Sequence, residues 1–229
     1  MPEFVNLGDL IRRDLDLEKT AIVDLGGEPG PREFTFAKID AMARGVARAL
    51  LKRGCKRGDR VAILSANRAE YLAAIYGIMR AGLIAVPVNF KFPRETIHFI
   101  VKDSGADIVF CDAARRTDCP DGIPIITFGP EFDTFLDIGP FETVTPEPRE
   151  PAMFLYTSGS TGVPKGVVLS HQSHLWVVAA RLAGNDIARH RFLVAAPLYH
   201  MNALALAKNT VKPTAPAAVL QPVMRRAAR

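Results

Sequence analysis

A stretch rich in hydroxyl groups and glycine, set between two short apolar runs, carries the clearest chemistry in the sequence. It runs from Thr157 to Gly166 and ends in Pro-Lys-Gly. Hydroxyls and a lysine can donate to phosphate oxygens, and glycines let backbone N–H groups approach an anion. The residues predicted to contact phosphate are Thr157, Ser158, Gly159, Ser160, Thr161, Gly162, Lys165 and Gly166. The stretch therefore predicts a loop that holds a triphosphate.

This loop differs from the common P-loop, in which Gly-Lys-Ser/Thr leads directly into a helix. Here Lys165 lies between Pro164 and Gly166 and is followed by an apolar, strand-like run. A mobile Ser/Gly surface loop is the alternative interpretation. The flanking apolar runs, the clustered hydroxyls and the Pro-Lys-Gly end favour phosphate binding instead. We expect an exposed loop between two strands, with Lys165 pointing into a cleft.

The sequence of this loop, TSGSTGVPKG, resembles the phosphate-loop signature of the AMP-forming adenylating enzymes. That superfamily includes acyl-CoA synthetases, 4-coumarate-CoA-ligase-like enzymes and peptide-synthetase adenylation domains. Residues 58–64 (GDRVAIL) and 81–89 (AGLIAVPVN) resemble landmarks of its N-terminal domain, and the similarity runs from about Leu10 to Leu206. It implies that a carboxylic acid and ATP form acyl-AMP and pyrophosphate, after which coenzyme A accepts the acyl group.

A second segment, PLYHMN at residues 197–202, resembles the acyl-CoA synthetase branch. The resemblance implies that His200, together with Asn202, lies near the acyl carboxylate, and that Thr157 contributes to a Mg²⁺ site. From spacing alone, His200 is better explained as a structural histidine. His171 and His174 could share a metal on one helix face, but no cysteine or carboxylate accompanies them.

Composition limits the other classes of function. No apolar run reaches the ~18–20 residues that span a bilayer, and the N-terminus lacks the apolar core of a signal peptide, which predicts a cytoplasmic protein. Cys55, Cys111 and Cys119 follow no disulfide or metal spacing and are expected to be free thiols. The net charge of +5 equals the five basic residues after position 206, so we expect no nucleic-acid partner. The sequence leaves the oligomeric state open.

The elements that would position these residues alternate between strands and helices. This alternation predicts an α/β fold, a mostly parallel sheet with helices on both faces. Strands are predicted at 21–25, 33–36, 60–64, 84–88, 107–110, 124–128, 153–156, 167–169 and 192–195. Helices are predicted at 37–53, 67–80, 93–103 and 170–182. Asn67 with Glu70 indicates a capping box, and Asn6 indicates the start of a further short helix.

The predicted domain organisation has four parts. Residues 1–138 form the first α/β portion of the N-terminal domain, 139–151 a linker, and 152–206 the phosphate-loop portion. Residues 207–229 are predicted to be a poorly ordered, basic Pro/Ala-rich tail, because Pro213, Pro216 and Pro222 each remove a backbone donor.

The resemblance also implies a truncated chain. Superfamily members carry a downstream adenine-binding segment, a ribose-binding aspartate and a catalytic lysine that have no counterpart here. We therefore expect that this chain alone does not form acyl-CoA. Two alternatives stay open at this point: an adenylation domain that loads a carrier protein, and a nucleotide-binding chain without catalysis.

Overall fold

The computed structural model describes residues 4–11, 13–14, 16–26, 30–157, 162–182, 192–209 and 218–220. The strands are β1 (Thr20–Asp24), β2 (Arg32–Thr35), β3 (Arg60–Leu64), β4 (Ile84–Pro87), β5 (Ala106–Cys111), β6 (Ile125–Thr127), β7 (Pro151–Thr157), β8 (Lys165–Ser170), β9 (Phe192–Val194) and β10 (Ala218–Leu220). The α-helices are α1 (Phe36–Lys52), α2 (Ala69–Arg80), α3 (Arg94–Asp103), α4 (Pro130–Phe135), α5 (His171–Leu182) and α6 (Met201–Asn209), and a 3₁₀ helix covers Ala113–Asp118.

The strands form two sheets. The larger sheet has six strands in the order β6-β5-β3-β4-β7-β8, and only its last pair, β7 with β8, is antiparallel. The smaller sheet has four strands in the order β2-β1-β10-β9, in which only β1 and β2 run antiparallel. The predicted mostly parallel α/β fold is confirmed, with the difference that the strands divide between two sheets.

Alternate residues of β3 show how helices cover both faces of the six-stranded sheet. Val61 and Ile63 belong to the hydrophobic cluster that contains the buried sides of α1 and α2. Ala62 and Leu64 point to the opposite face and belong to a second cluster, with α3. All four side chains are almost completely buried. A strand that is buried on both faces has a continuous run of apolar residues, and this run is the pattern that predicted β3.

Helices α1 and α2 pack closely against each other. A Cβ atom added at Gly77 would lie 2.5 Å from the carbonyl oxygen of Ala43, so a side chain there would force the two backbones apart. Beside this contact the fully buried Arg80 forms an ion pair of 2.8 Å with Asp40. The charge of Arg80 is thereby compensated inside the core, as a buried guanidinium requires.

The prediction of a helix near the start of the chain is wrong, and the predicted tail contains one strand. Residues 4–11 form a turn and no helix. Asn6 Oδ1 accepts from the N–H of Gly8 (2.8 Å), and its Nδ2 donates to the distant Met79 O (3.0 Å) and Val144 O (2.8 Å). In the predicted tail, residues 218–220 form β10, and Leu220 is fully buried. This strand lies between Pro216 and Pro222, so neither proline interrupts its hydrogen bonds.

The rest of the predicted tail is described only in part. Helix α6 extends to Asn209, whereas residues 210–217 and 221–229 lie outside the described residues. The division into four parts stays a prediction. Among the helices that the structure describes, none is both long and apolar enough to cross a membrane.

Candidate functional site

The predicted phosphate loop joins the two antiparallel strands β7 and β8. Thr157, the last residue of β7, pairs with Lys165, the first residue of β8, and both are exposed. Gly162 has a φ of 81°, a backbone conformation that favours glycine. The structure therefore brings a hydroxyl and a lysine together at the loop end of the hairpin. The predicted contacts of Ser158, Gly159, Ser160 and Thr161 concern residues outside the described part of the chain.

Tyr156 supports this hairpin, although sequence reasoning did not single it out. It pairs with Gly166, where an added Cβ would lie 3.0 Å from Cζ of the tyrosine ring. The tyrosine hydroxyl donates to Asp103 Oδ2 at the end of α3, over 2.6 Å. Partial burial and this hydrogen bond both raise the pKa of Tyr156. Gly166 thus leaves room for a ring that ties the hairpin to α3.

Parallel strands end at the same edge of their sheet, so β3, β4, β5 and β7 present their carboxyl ends together. The residues that follow β3, β4 and β5 include Asn67, Phe90 and Asp112, which therefore share this edge with Thr157. Ligands of open α/β sheets bind outside the carboxyl ends of the strands. A cavity of about 540 Å³ opens at this edge, and its lining includes Asn67, Asp112 and, from β1, Asp24.

The segment with His200 lies against the same edge. It follows β9, and Asn67 binds its backbone at Ala196 O (2.9 Å) and at the N–H of Leu198 (2.7 Å). His200 and Asn202 are exposed at the start of α6. The predicted capping box is wrong, because Asn67 bonds across to this segment, some 130 residues away, and not to its own helix.

Glu70, the other residue of that predicted box, belongs to a network of charges. It binds Arg32 of β2 (2.7 Å) and Arg68 (3.0 Å), and Arg32 also binds the buried Asp24 (2.6 Å). Burial opposes the ionisation of Glu70, but the hydrogen bonds from both arginines outweigh it and lower its pKa to about 2. Asp24 Oδ2 also accepts from the backbone N–H of Ala69 (3.2 Å), so a side chain from β1 caps α2.

His171 and His174, which could share a metal on one helix face, each have another contact in the structure. His171 accepts a hydrogen bond from the backbone N–H of Leu7 through Nδ1 (3.0 Å), and Nε2 of His174 lies 2.7 Å from the sulfur of Met201. Both rings are buried, and within the described ranges no three His, Cys, Asp or Glu side chains are placed to hold a metal ion. Cys55, Cys111 and Cys119 are free, as predicted.

Sequence comparison assigns the family. A sequence model described as "AMP-binding enzyme" matches residues 14–210, which is most of the chain. The chain belongs to the AMP-binding enzyme family. Among curated members, it is 31% identical to the long-chain-fatty-acid–CoA ligase FadD13 of Mycobacterium tuberculosis over 183 residues, 75% of this chain and 36% of that protein. It is 32% identical to the 2-succinylbenzoate–CoA ligase of Geobacillus kaustophilus over 206 residues, 87% of this chain and 40% of that protein.

Solved structures of AMP-binding enzymes share the fold. The ATP-bound structure of MatB from Rhodopseudomonas palustris superimposes with a TM-score of 0.83 and 26% sequence identity. That match covers 96% of this chain and 46% of the MatB chain. The chain thus spans less than half the length of each of these three relatives. The similarity extends over both sheets, because residues 14–210 include β1 to β9.

Proposed function

We propose that this chain provides the phosphate-binding and carboxylate-binding parts of an AMP-forming acyl-CoA ligase. The observation that carries the proposal is the β7–β8 hairpin, which sets Thr157 opposite Lys165 at the carboxyl edge of a parallel sheet. Membership of the AMP-binding enzyme family, the CoA ligases among its relatives and an ATP-bound structural neighbour support it. The proposed substrates are ATP, a carboxylic acid and coenzyme A.

In the proposed first step, a carboxylate oxygen attacks the α-phosphorus of ATP and pyrophosphate leaves. No general base is needed, because a carboxylic acid is already ionised at pH 7. Lys165 and the hydroxyl and backbone donors of the loop would bind the phosphate oxygens and offset their charge. In the second step, the thiol of coenzyme A gives up its proton to solvent, its sulfur attacks the acyl carbonyl carbon, and AMP leaves with the electrons of the broken C–O bond.

The residues at the hairpin also fit a hard cation. Thr157 is exposed at the end of β7, and a hydroxyl oxygen is a ligand that Mg²⁺ accepts alongside phosphate oxygens. When bound there, Mg²⁺ would neutralise phosphate charge. His200 and Asn202 are the proposed contacts of the acyl carboxylate, since both are exposed on the segment that Asn67 holds at the same sheet edge.

The test is isothermal titration of the chain with a non-hydrolysable ATP analogue and Mg²⁺. We expect Lys165→Ala to weaken binding about tenfold or more, a loss of about 1.4 kcal/mol, because a charge-assisted contact to phosphate is removed. Lys38→Ala is the matched control, since it removes an exposed lysine from α1. Absence of binding by the wild type, or equal affinities for the two variants, would contradict the proposal.

A second assay addresses the chemistry. Release of pyrophosphate is followed with MgATP, coenzyme A and a panel of fatty and aryl acids. Turnover by the wild type that Lys165→Ala reduces supports acyl activation by this chain. Binding of the ATP analogue without any turnover assigns the chain nucleotide binding alone.

A further inference from the structure

We propose that Asn67 is a positioning residue that fixes the turn carrying His200 onto the six-stranded sheet. The contacts of Asn67 do not depend on what the protein does, whereas their consequence for catalysis rests on the proposed function. Asn67 lies in the connection between β3 and α2, and His200 follows β9 of the other sheet. The inference is that one buried amide links the two sheets at the place where the two substrates would meet.

The amide of Asn67 acts as both donor and acceptor toward one short segment. Nδ2 donates to the carbonyl oxygens of Ala196 (2.9 Å) and Val194 (3.3 Å), and Oδ1 accepts from the N–H of Leu198 (2.7 Å). Among short side chains, only an asparagine offers both an NH₂ group and a carbonyl oxygen. Asn67 is 2% exposed, so loss of these bonds would leave buried backbone groups without partners, which is costly.

Asn67 is itself held on either side by carboxylates from other strands. The N–H of Ala66 donates to Asp112 Oδ2 (2.9 Å), after β5, and the N–H of Ala69 donates to Asp24 Oδ2 (3.2 Å), at the end of β1. The backbone around Asn67 is therefore fixed from both sheets. A fixed backbone gives the amide a defined position, which a positioning residue requires.

The path from Leu198 to His200 is short and contains its own constraints. The N–H of His200 donates to the carbonyl oxygen of Pro197 (3.0 Å), which closes a tight turn. Between them, the ring of Tyr199 packs edge-on against Phe90 with centroids 5.2 Å apart, and the ring of His200 lies 4.6 Å from that of Tyr199. A shift of Leu198 is therefore transmitted to the imidazole of His200.

This arrangement would fix the acyl side of the reaction relative to the phosphate side. Asn67 follows β3 and Thr157 ends β7, so the hairpin and the His200 turn are both attached to the six-stranded sheet. In-line attack of a carboxylate on phosphorus depends on geometry, and misplacement by about 1 Å can cost two orders of magnitude in rate. The effect of Asn67 on the reaction would come through the His200 turn.

The first experiment measures amide hydrogen exchange at Leu198 by NMR or mass spectrometry. In Asn67→Ala we expect exchange at least tenfold faster than in the wild type, while amides within β3 keep their protection. Asn67→Asp retains an acceptor for Leu198 but no donor for Ala196, so an intermediate increase is expected, and this variant serves if Asn67→Ala does not fold. Unchanged exchange at Leu198 in both variants overturns the proposal.

The matched control is Asn89→Ala. Asn89 follows β4 as Asn67 follows β3, but its Oδ1 accepts from the N–H of Lys91 (2.9 Å) within its own turn. We expect exchange at Leu198 to stay at the wild-type rate in this variant. An equal increase in Asn67→Ala and Asn89→Ala would reduce the effect to general destabilisation and would also overturn the proposal.

The second experiment tests the consequence for catalysis through pyrophosphate release. We expect Asn67→Ala to lower kcat/KM for the carboxylic acid at least tenfold, with the KM for MgATP changed less than twofold. Because Asn67 acts through His200, adding His200→Ala to Asn67→Ala should lower the rate little further. Fully additive losses would overturn the proposal. If the wild type shows no turnover, as expected for this chain alone, binding of the ATP analogue tests the proposed function and exchange at Leu198 decides the role of Asn67.

Discussion

At the β7–β8 hairpin, the space between side chains limits which residues fit, in addition to their charge. Gly166 faces the ring of Tyr156, and that ring is held by the bond from its hydroxyl to Asp103. The types of residue that contact phosphate can be read from the sequence, because hydroxyls, a lysine and glycines are recognisable locally. The role of Tyr156 could not be read from the sequence, since it depends on Asp103, which lies 53 positions away.

At this residue scale, we expect Gly166→Ala to destabilise the chain by about 1–3 kcal/mol, because the added methyl group would press on a ring that is not free to move. Urea unfolding measures the change. Tyr156→Phe removes the bond to Asp103 and should cost about 1 kcal/mol by itself. The double variant should lose less than the two together, since the ring can then move aside.

Gly30→Ala is the control for this comparison. A Cβ at Gly30 would meet no atom within 4 Å, so the substitution adds the same methyl group without contact. We expect it to leave the free energy of unfolding within about 0.5 kcal/mol of the wild type. A similar loss for Gly30→Ala and Gly166→Ala would show that the ring contact is not the cause.

At the scale of single elements, most strands and helices were predictable, including the three-residue strands β6 and β9, whereas α4 and β10 were not. The predicted strand at 60–64 coincides with β3, because a buried apolar run carries its own signal. Helix α4 has only six residues, too few to show a helical period, and β10 lies between two prolines, which favoured a chain without strands. The contacts of Asn67 could not be predicted from local sequence either. Its residue type suggests a helix cap, but its partners belong to a segment about 130 residues later, after β9.

Glu70 gives a prediction for the contact between α2 and the β1–β2 hairpin. Its pKa is about 2 in the folded chain and about 4.3 in an unfolded one, so the folded state favours the charged form. The resulting stability, roughly 3 kcal/mol, is fully present above about pH 4.5 and is lost as the pH falls toward 2. Urea unfolding from pH 7 to pH 2.5 should show the wild type and Glu70→Gln converging in this window.

Glu95→Gln provides the comparison, because Glu95 is an exposed carboxylate in the first turn of α3. The difference between the wild type and this variant should be small at every pH, as is usual for surface substitutions. A difference between the wild type and Glu70→Gln that stays constant down to pH 2.5 would refute the assignment of the low pKa to Glu70.

At the scale of the whole molecule, the two sheets are joined by side chains from both. Arg32 of β2 binds Glu70 of α2, and Asn67 after β3 binds the segment after β9. The smaller sheet is completed by β10, which pairs with β1 on one side and β9 on the other. The α/β alternation predicted the larger sheet well, whereas the smaller sheet needed strands from opposite ends of the chain.

We therefore expect the chain to depend on β10 for stability. A variant that ends at residue 217 lacks the strand and leaves β1 and β9 without their shared neighbour. Its melting temperature should fall by about 5 °C or more, given that ~1 kcal/mol shifts a domain of this size by roughly 2–4 °C. A variant that ends at residue 221 keeps β10 and serves as the control. Equal melting temperatures for the two variants would mean that β10 contributes nothing.

The place of β10 in its sheet also sets an order of events during synthesis. Ile22 pairs with Ala218, about 200 positions later, whereas β3 to β6 lie within residues 60–127. At about 5–20 residues per second, a ribosome takes roughly 10–40 s to travel from β1 to β10. During that time the first strands of the larger sheet can already pair, while β1 still lacks β10, its partner on one edge. A nascent chain of this protein therefore offers the unpaired edge of β1 to chaperones or to neighbouring chains until β10 has emerged.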